Sequence, residues 1–179
     1  MSHSELTVAV LTRQRYQELE LWYPLLRYRE VGAQTTLIGR DTSEHLGGVG
    51  YPAIPQVLVG DSAVPTVLIV PGRAPATAGA ETPQEEEVTA PERALMQSVL
   101  DAGGVVAAIG DGVAVLGAAG LLDGRTVAAN DETASRLAGF GATRSSGTVH
   151  TDRVIVTAAS ADDLPAFVNA IDAAALVNA

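Results

Sequence analysis

The stretch that decides the fold is VVAAIGDGVAVLGAAG, Val105 to Gly120. Its first five residues form an apolar, β-branched run that reads as a buried strand. Gly110-Asp111 marks an abrupt turn, and GVAVLGAAG continues at helical spacing. A strand that turns sharply into a helix is where many enzymes mount a nucleophile. Here the turn residue is glycine, which has no side chain to react.

Outward from this elbow the chain alternates between strand-like and helix-like segments. LTVAVLT (Leu6–Thr12) reads as the first strand. In the next segment Leu19, Trp22, Leu25, Leu26 and Val31 recur near helical spacing, Gly32 closes the helix, and Pro24 predicts a kink. AQTTLIG is a second strand, AIPQVLVG a further strand or hairpin, and Gly47-Gly48-Val49-Gly50 a flexible turn. PTVLIVPGR (Pro65–Arg73) is a strongly apolar strand. The small, acidic, Pro-containing run after it, with Glu85-Glu86-Glu87, predicts a surface loop. ERALMQSVLDAGG is a helix, RTVAAN a strand, DETASRLAGFGA a helix, and TVHTDRVIVTAA one or two strands. DLPAFVNAIDAAALV closes the chain as an amphipathic helix, with Asp162 or Asp163 as cap and Pro165 in its first turn. Such alternation predicts an α/β fold, one domain over 1–179, with a mostly parallel sheet covered on both faces. Its site is expected beyond the carboxyl ends of the strands, where the loops Thr12–Tyr16, Pro71–Ala74 and Gly110–Gly112 meet.

Composition narrows the chemistry. The 179 residues include no cysteine, which excludes disulfides, thiolate metal sites and thiol catalysis within the chain. All eleven basic residues are arginine, so no lysine Schiff base can form. A net charge of −10 argues against nucleic acid as a partner. No apolar run is long enough to span a bilayer, and the start carries no signal-peptide pattern, so a cytoplasmic protein is expected. The three histidines are scattered: His3 and His45 read as tail and loop residues and His150 as structural or exposed, so no metal site is expected. Ser145, Ser146 and Ser160 lack an elbow context, which speaks against a serine hydrolase.

Four segments taken together, YQELELWYPLLRYREVGAQTTLIG, VLIVPGRAP, AGGVVAAIGDGVAVLGAAGLLDGRTV and VIVTAASADDLPAFVNAI, resemble the ThiJ/PfpI superfamily, the class I glutamine amidotransferase-like group. The similarity is greatest to the short, single-domain PfpI branch. It covers nearly the whole chain in the right order. The resemblance implies a flavodoxin-like three-layer sandwich and a homodimer or larger homo-oligomer. It also implies a site. Glu20, four residues before Pro24, matches the family's glutamate. Pro71-Gly72 matches a Pro-Gly-Gly turn that offers backbone amides, with Arg73 replacing the second glycine. Gly110 matches the elbow cysteine and Asp111 the residue after it. The nucleophile is therefore gone, and the family's thiol-dependent activities do not carry over.

What remains is a set of carboxyls and main-chain donors. A residue with a β-carbon at such an elbow bears backbone strain of order 1–3 kcal/mol, which glycine escapes. The missing side chain is expected to leave room for a ligand. Glu20 and Asp111 are the candidate catalytic pair, since two carboxyls in different environments can divide acid and base roles. Asp111 reads equally as a helix cap, and Glu18 as a solvated first-turn carboxylate. The amides of Gly72, Gly110 and Asp111, with Gly112 completing the loop, are expected to bind substrate. Arg73 is a candidate anion clamp, Arg15 and Tyr16 rim the site, and Arg13 reads as surface charge. Tyr16, Trp22 and Tyr23 can wall a pocket or build core and dimer contacts. Two functions fit: a cofactor-independent lyase, hydratase or isomerase acting on a small organic molecule, with Glu20 as principal acid/base, or a non-catalytic protein that binds a small molecule or partner in the same cleft. A hydrolase using a water activated by Glu20 or Asp111 is a third, lesser variant.

Overall fold

The structure is a computed structural model that describes residues 2–74 and 88–177. The acidic run Glu85–Glu87 lies outside the described residues. In chain order the strands are β1 (Thr7–Leu11), β2 (Gln34–Gly39), β3 (His45–Leu46), β4 (Pro52–Ala53), β5 (Val57–Leu58), β6 (Val67–Val70), β7 (Val105–Ile109), β8 (Thr126–Val127), β9 (Thr143–Arg144), β10 (Val149–Asp152) and β11 (Ile155–Ala158). The helices are α1 (Glu18–Glu30), α2 (Ala90–Asp101), α3 (Gly112–Ala118), α4 (Asp131–Ala134) and α5 (Leu164–Val177).

Seven strands form the central sheet in the order β10-β11-β7-β6-β1-β2-β5. All pairs are parallel except β10 with β11. Because successive strand residues point to opposite faces, each central strand feeds two cores. Val8, Val10, Val67, Ile69, Val105 and Ala107 pack against Leu21, Leu25 and Tyr28 of α1 and Phe167 and Ile171 of α5. Ala9, Leu11, Leu68, Val70, Val106 and Ala108 pack against Leu95, Met96 and Val99 of α2 and Val113 and Leu116 of α3. Burial on both sides is why these strands read as continuous apolar runs rather than alternating ones. The result is a flavodoxin-like sandwich. The chain leaves β1 toward β2 on one side and returns to β6 and β7 on the other. That switch point places the ends of β1, β6 and β7 around one crevice.

Two expected elements differ. RTVAAN contributes only β8, which pairs with β9 in a separate two-stranded sheet. The expected helix over 131–142 is the single turn α4 followed by a 3-10 turn, Leu137–Phe140. Thr133, Ser135, Gly139 and Gly141 are poor helix formers, and packing of Phe140 onto Gly117 decides the path instead. Near the start, α1 runs from Glu18 to Glu30 with Pro24 inside it. Its ring has no N–H to offer the Glu20 carbonyl one turn earlier. The closing helix follows a capping box on the preceding 3-10 turn, between Ser160 and Asp163, with Pro165 as its second residue.

Candidate active site

At the end of β7 the chain turns at Gly110, whose φ is +59°, and enters α3. The left-handed backbone suits glycine. Gly112 allows α3 to approach β6 closely, since its Cα packs on the carbonyl of Val70. The first turn of α1 brings Glu20 to this elbow. Glu20 is only 5% exposed, and its Oε2 accepts a hydrogen bond of 2.8 Å from the Gly72 amide. A methyl group at position 110 would lie 2.7 Å from Oε1 and 3.0 Å from Oε2 of Glu20. The expected room for a ligand above Gly110 is therefore taken by the Glu20 carboxyl itself. A β-carbon at position 110 would require the Glu20 carboxyl, the far end of its side chain, to shift.

Burial pushes the Glu20 carboxyl up to about 7, the neighbouring Asp111 adds to the rise, and the Gly72 amide opposes it. A group held so is present in both protonation states near neutral pH, the condition under which one side chain can give and take protons.

The elbow amides are not all available as expected. Gly72 donates to Glu20, and Gly110 donates to the Ala158 carbonyl at 3.0 Å. Each amide is engaged inside the protein, so neither is open as an oxyanion donor in this arrangement. The Asp111 amide has no acceptor among the described residues. Asp111 precedes α3, yet its side chain makes no cap hydrogen bond. Its backbone is already helical, so the carboxylate points away from the first-turn amides. It faces two guanidiniums instead, Arg73 Nε at 3.7 Å and Arg136 at 3.5 Å.

The rim is stitched together by the main chain. Arg15 sits at φ 61°, a left-handed conformation uncommon for a residue with a side chain. Its amide donates to Leu46, its carbonyl accepts from Ala74, and its guanidinium reaches the Ala74 carbonyl at 3.5 Å. Tyr16 forms an isolated bridge with Arg73, and Gln17 donates to the Gly72 carbonyl. The side chain of Tyr16 belongs to the core. Its hydroxyl donates to the Tyr51 carbonyl and accepts from the Trp22 indole, whose ring meets Tyr51 edge-on.

Three sequence expectations change here. Glu18 is half-buried and also tied to the hairpin: its Oε1 accepts from the Val49 amide at 2.7 Å and rests on Gly47, pinning β3–β4. His45 is buried, in contact with Thr12 Oγ1 at 3.3 Å and Asp41 at 3.4 Å. Arg13 is buried too, 3.1 Å from the carboxylate of Glu92 in α2, which also holds Arg40. Arg136 was not anticipated. It lies 25 positions beyond Asp111, in a segment read as a helix, and no spacing rule connects the two. Among the described residues, no three His, Asp or Glu side chains gather as a metal site would require.

An elbow between parallel strand and helix, faced by a buried glutamate from the first helix, at the strand ends of a flavodoxin-like sandwich, is the arrangement expected of the ThiJ/PfpI group. The sequence profile of the DJ-1/PfpI family matches residues 6–174, and the chain belongs to that family. An uncharacterised protein of Archaeoglobus fulgidus is 27% identical over 162 residues, 89% of this chain and 92% of that one. A ThiJ/PfpI domain protein from Brachyspira murdochii superposes with a TM-score of 0.81 at 20% identity, covering 97% of both chains. A two-domain protein from Anabaena variabilis, with DJ-1/ThiJ/PfpI-like and ferritin-like domains, gives 0.84 at 19% identity over 94% of this chain. This chain spans about half of that protein, 48% of its length.

Proposed function

We propose that this single-domain DJ-1/PfpI member is a cofactor-independent acid/base enzyme, a lyase, hydratase or isomerase acting on a small organic molecule. The observation that carries the reading is the Glu20 carboxyl, lodged where the elbow side chain would stand and poised near neutrality. A buried carboxyl of this kind moves protons without a covalent intermediate. Asp111 sets its charge environment rather than capping α3.

Glu20→Gln keeps shape and removes the proton carrier. Turnover of a substrate found by screening small hydroxy, keto and unsaturated compounds should fall by about 10²–10⁴-fold, with the melting temperature kept or raised. Full activity in this variant would refute the acid/base reading. The engagement of the Gly72 and Gly110 amides inside the protein favours a second reading, a non-catalytic protein that binds a small molecule or partner in the same cleft. A ligand bound equally by both forms and never converted would establish it.

The working form is read as a homodimer in the cytoplasm, without nucleic-acid or membrane partners. No helix among the described residues is long and apolar enough to cross a membrane. Leu19, Tyr23 and Leu26 lie on one exposed face of α1, and Trp22 joins that face to Tyr51 on the hairpin beside exposed Val49 and Ile54. A second copy of the chain would cover this apolar patch. Leu26→Glu should shift the sedimentation coefficient from dimer to monomer; a monomeric wild type would end the proposal.

A further inference from the structure

The chemistry at the mouth of the Glu20 site points to a class of substrate, an inference that rests on the acid/base reading above. Asp111 stands between Arg73 and Arg136, and all three side chains keep about a quarter of their surface open, 28%, 23% and 29% respectively. Their separations of 3.7 and 3.5 Å are longer than the ~2.7–2.9 Å of a guanidinium–carboxylate hydrogen bond. Asp111 is thus held by charge and not locked by a fork.

The two arginines come from unrelated segments, and each is placed by its own support. Arg73 is fixed through its backbone bridge to Tyr16, next to the strained Arg15. The Arg136 guanidinium lies 5.6 Å from the centre of the Phe140 ring, and that ring packs on Gly117 of α3, the helix that begins at the elbow. Backbone strain and a stacked guanidinium are features that surface ion pairs do not need.

We propose that Arg73 and Arg136 form a carboxylate-recognition pair, that the substrate is a small carboxylic acid, and that Asp111 is a resident anion which the substrate carboxylate displaces or shares. Asp111 adjoins Gly110, over which the Glu20 carboxyl lies. A carboxylate held by the pair therefore has its neighbouring carbons beside Glu20. Neutralising that carboxylate makes a proton on the adjacent carbon easier to remove.

The probe is malonate against its neutral counterpart malonamide, measured by isothermal titration calorimetry at low salt on the whole protein. Malonate should bind at least about tenfold more tightly than malonamide, and Arg73→Gln and Arg136→Gln should each weaken it by about tenfold or more. Asp111→Asn should tighten binding severalfold by removing the competing anion, whereas a structural role for Asp111 predicts no gain. If one arginine variant fails to fold, the other, on a separate segment, carries the test. Absence of saturable malonate binding, binding left within twofold by both arginine variants, or weaker binding in Asp111→Asn would overturn the proposal. Glu20→Gln should bind malonate no more weakly than wild type, so its turnover tests the acid/base reading independently.

Discussion

Glu20 and Glu92 are two glutamates in the first turn of a helix, both almost wholly buried at 5% and 1% exposure. They come out with opposite electrostatics. Glu92 is ringed by donors: Arg13 and Arg40 reach it at 3.1 and 3.0 Å, and the Thr89 amide and hydroxyl complete a capping box. Those partners outweigh burial and hold its carboxyl below the usual carboxylate range. Among the described residues Glu20 has one amide donor, no guanidinium partner, and another carboxylate nearby, so burial wins and its carboxyl rises to about 7. Burial alone does not make a carboxylate reactive; burial with too few donors does.

This contrast can be broken most visibly at Glu92. Glu92→Gln removes the carboxylate that two arginines, one of them buried, hold. It should lower unfolding free energy by about 3–5 kcal/mol in a urea titration. A loss below 1 kcal/mol would mean that the cluster is loosely solvated and the contrast false.

The pH dependence separates the two carboxyls by sign. Glu20 has its folded value raised from 4.5 to about 7, so the fold favours its protonated form. Its contribution is complete below pH 4.5 and is withdrawn as pH rises through about 7, a change of roughly 3 kcal/mol. Glu92, lowered in the fold, contributes above its unfolded value and loses that contribution as pH falls through the folded one. Hence wild type should lose stability relative to Glu20→Gln between pH 4.5 and 7.5. The wild-type advantage over Glu92→Gln should stay level there and shrink in acid. Parallel curves for the two variants would contradict the assignment.

The smallest effect is expected at the elbow. Gly110→Ala places a methyl group 2.7 Å from the Glu20 carboxyl on a left-handed backbone and should cost about 1–3 kcal/mol. It should also move Glu20 toward water and lower its apparent pKa, readable by carbon NMR of the carboxyl. Gly110→Cys should likewise displace the Glu20 carboxyl and lower its apparent pKa. An unshifted Glu20 in Gly110→Ala would show that the space above position 110 is wider than the geometry indicates.

Much of this was legible in the chain. Apolar runs with β-branched residues marked the central strands, and Gly110-Asp111 announced the elbow, because buried parallel strands and tight strand-to-helix turns both demand particular residue types. The arginines misled. Arg13, read as surface charge, is buried because Glu92, 79 positions later, waits on α2. Arg136 went unnoticed because a ring from Phe140 and a glycine at 117 set its place. Neither pairing leaves a local pattern.

Sequence alone determined that the sheet would be parallel and doubly covered, that the elbow carries no nucleophile, and that Glu20 stands on the first helix. Those follow from side-chain size, polarity and backbone freedom, which each residue carries with it. Tertiary structure decided that the space above Gly110 is filled rather than empty, that Glu20 is poised while Glu92 is locked, and that Asp111 faces arginines instead of capping α3. Protonation and occupancy depend on which donors arrive from distant segments, and only folding brings those together.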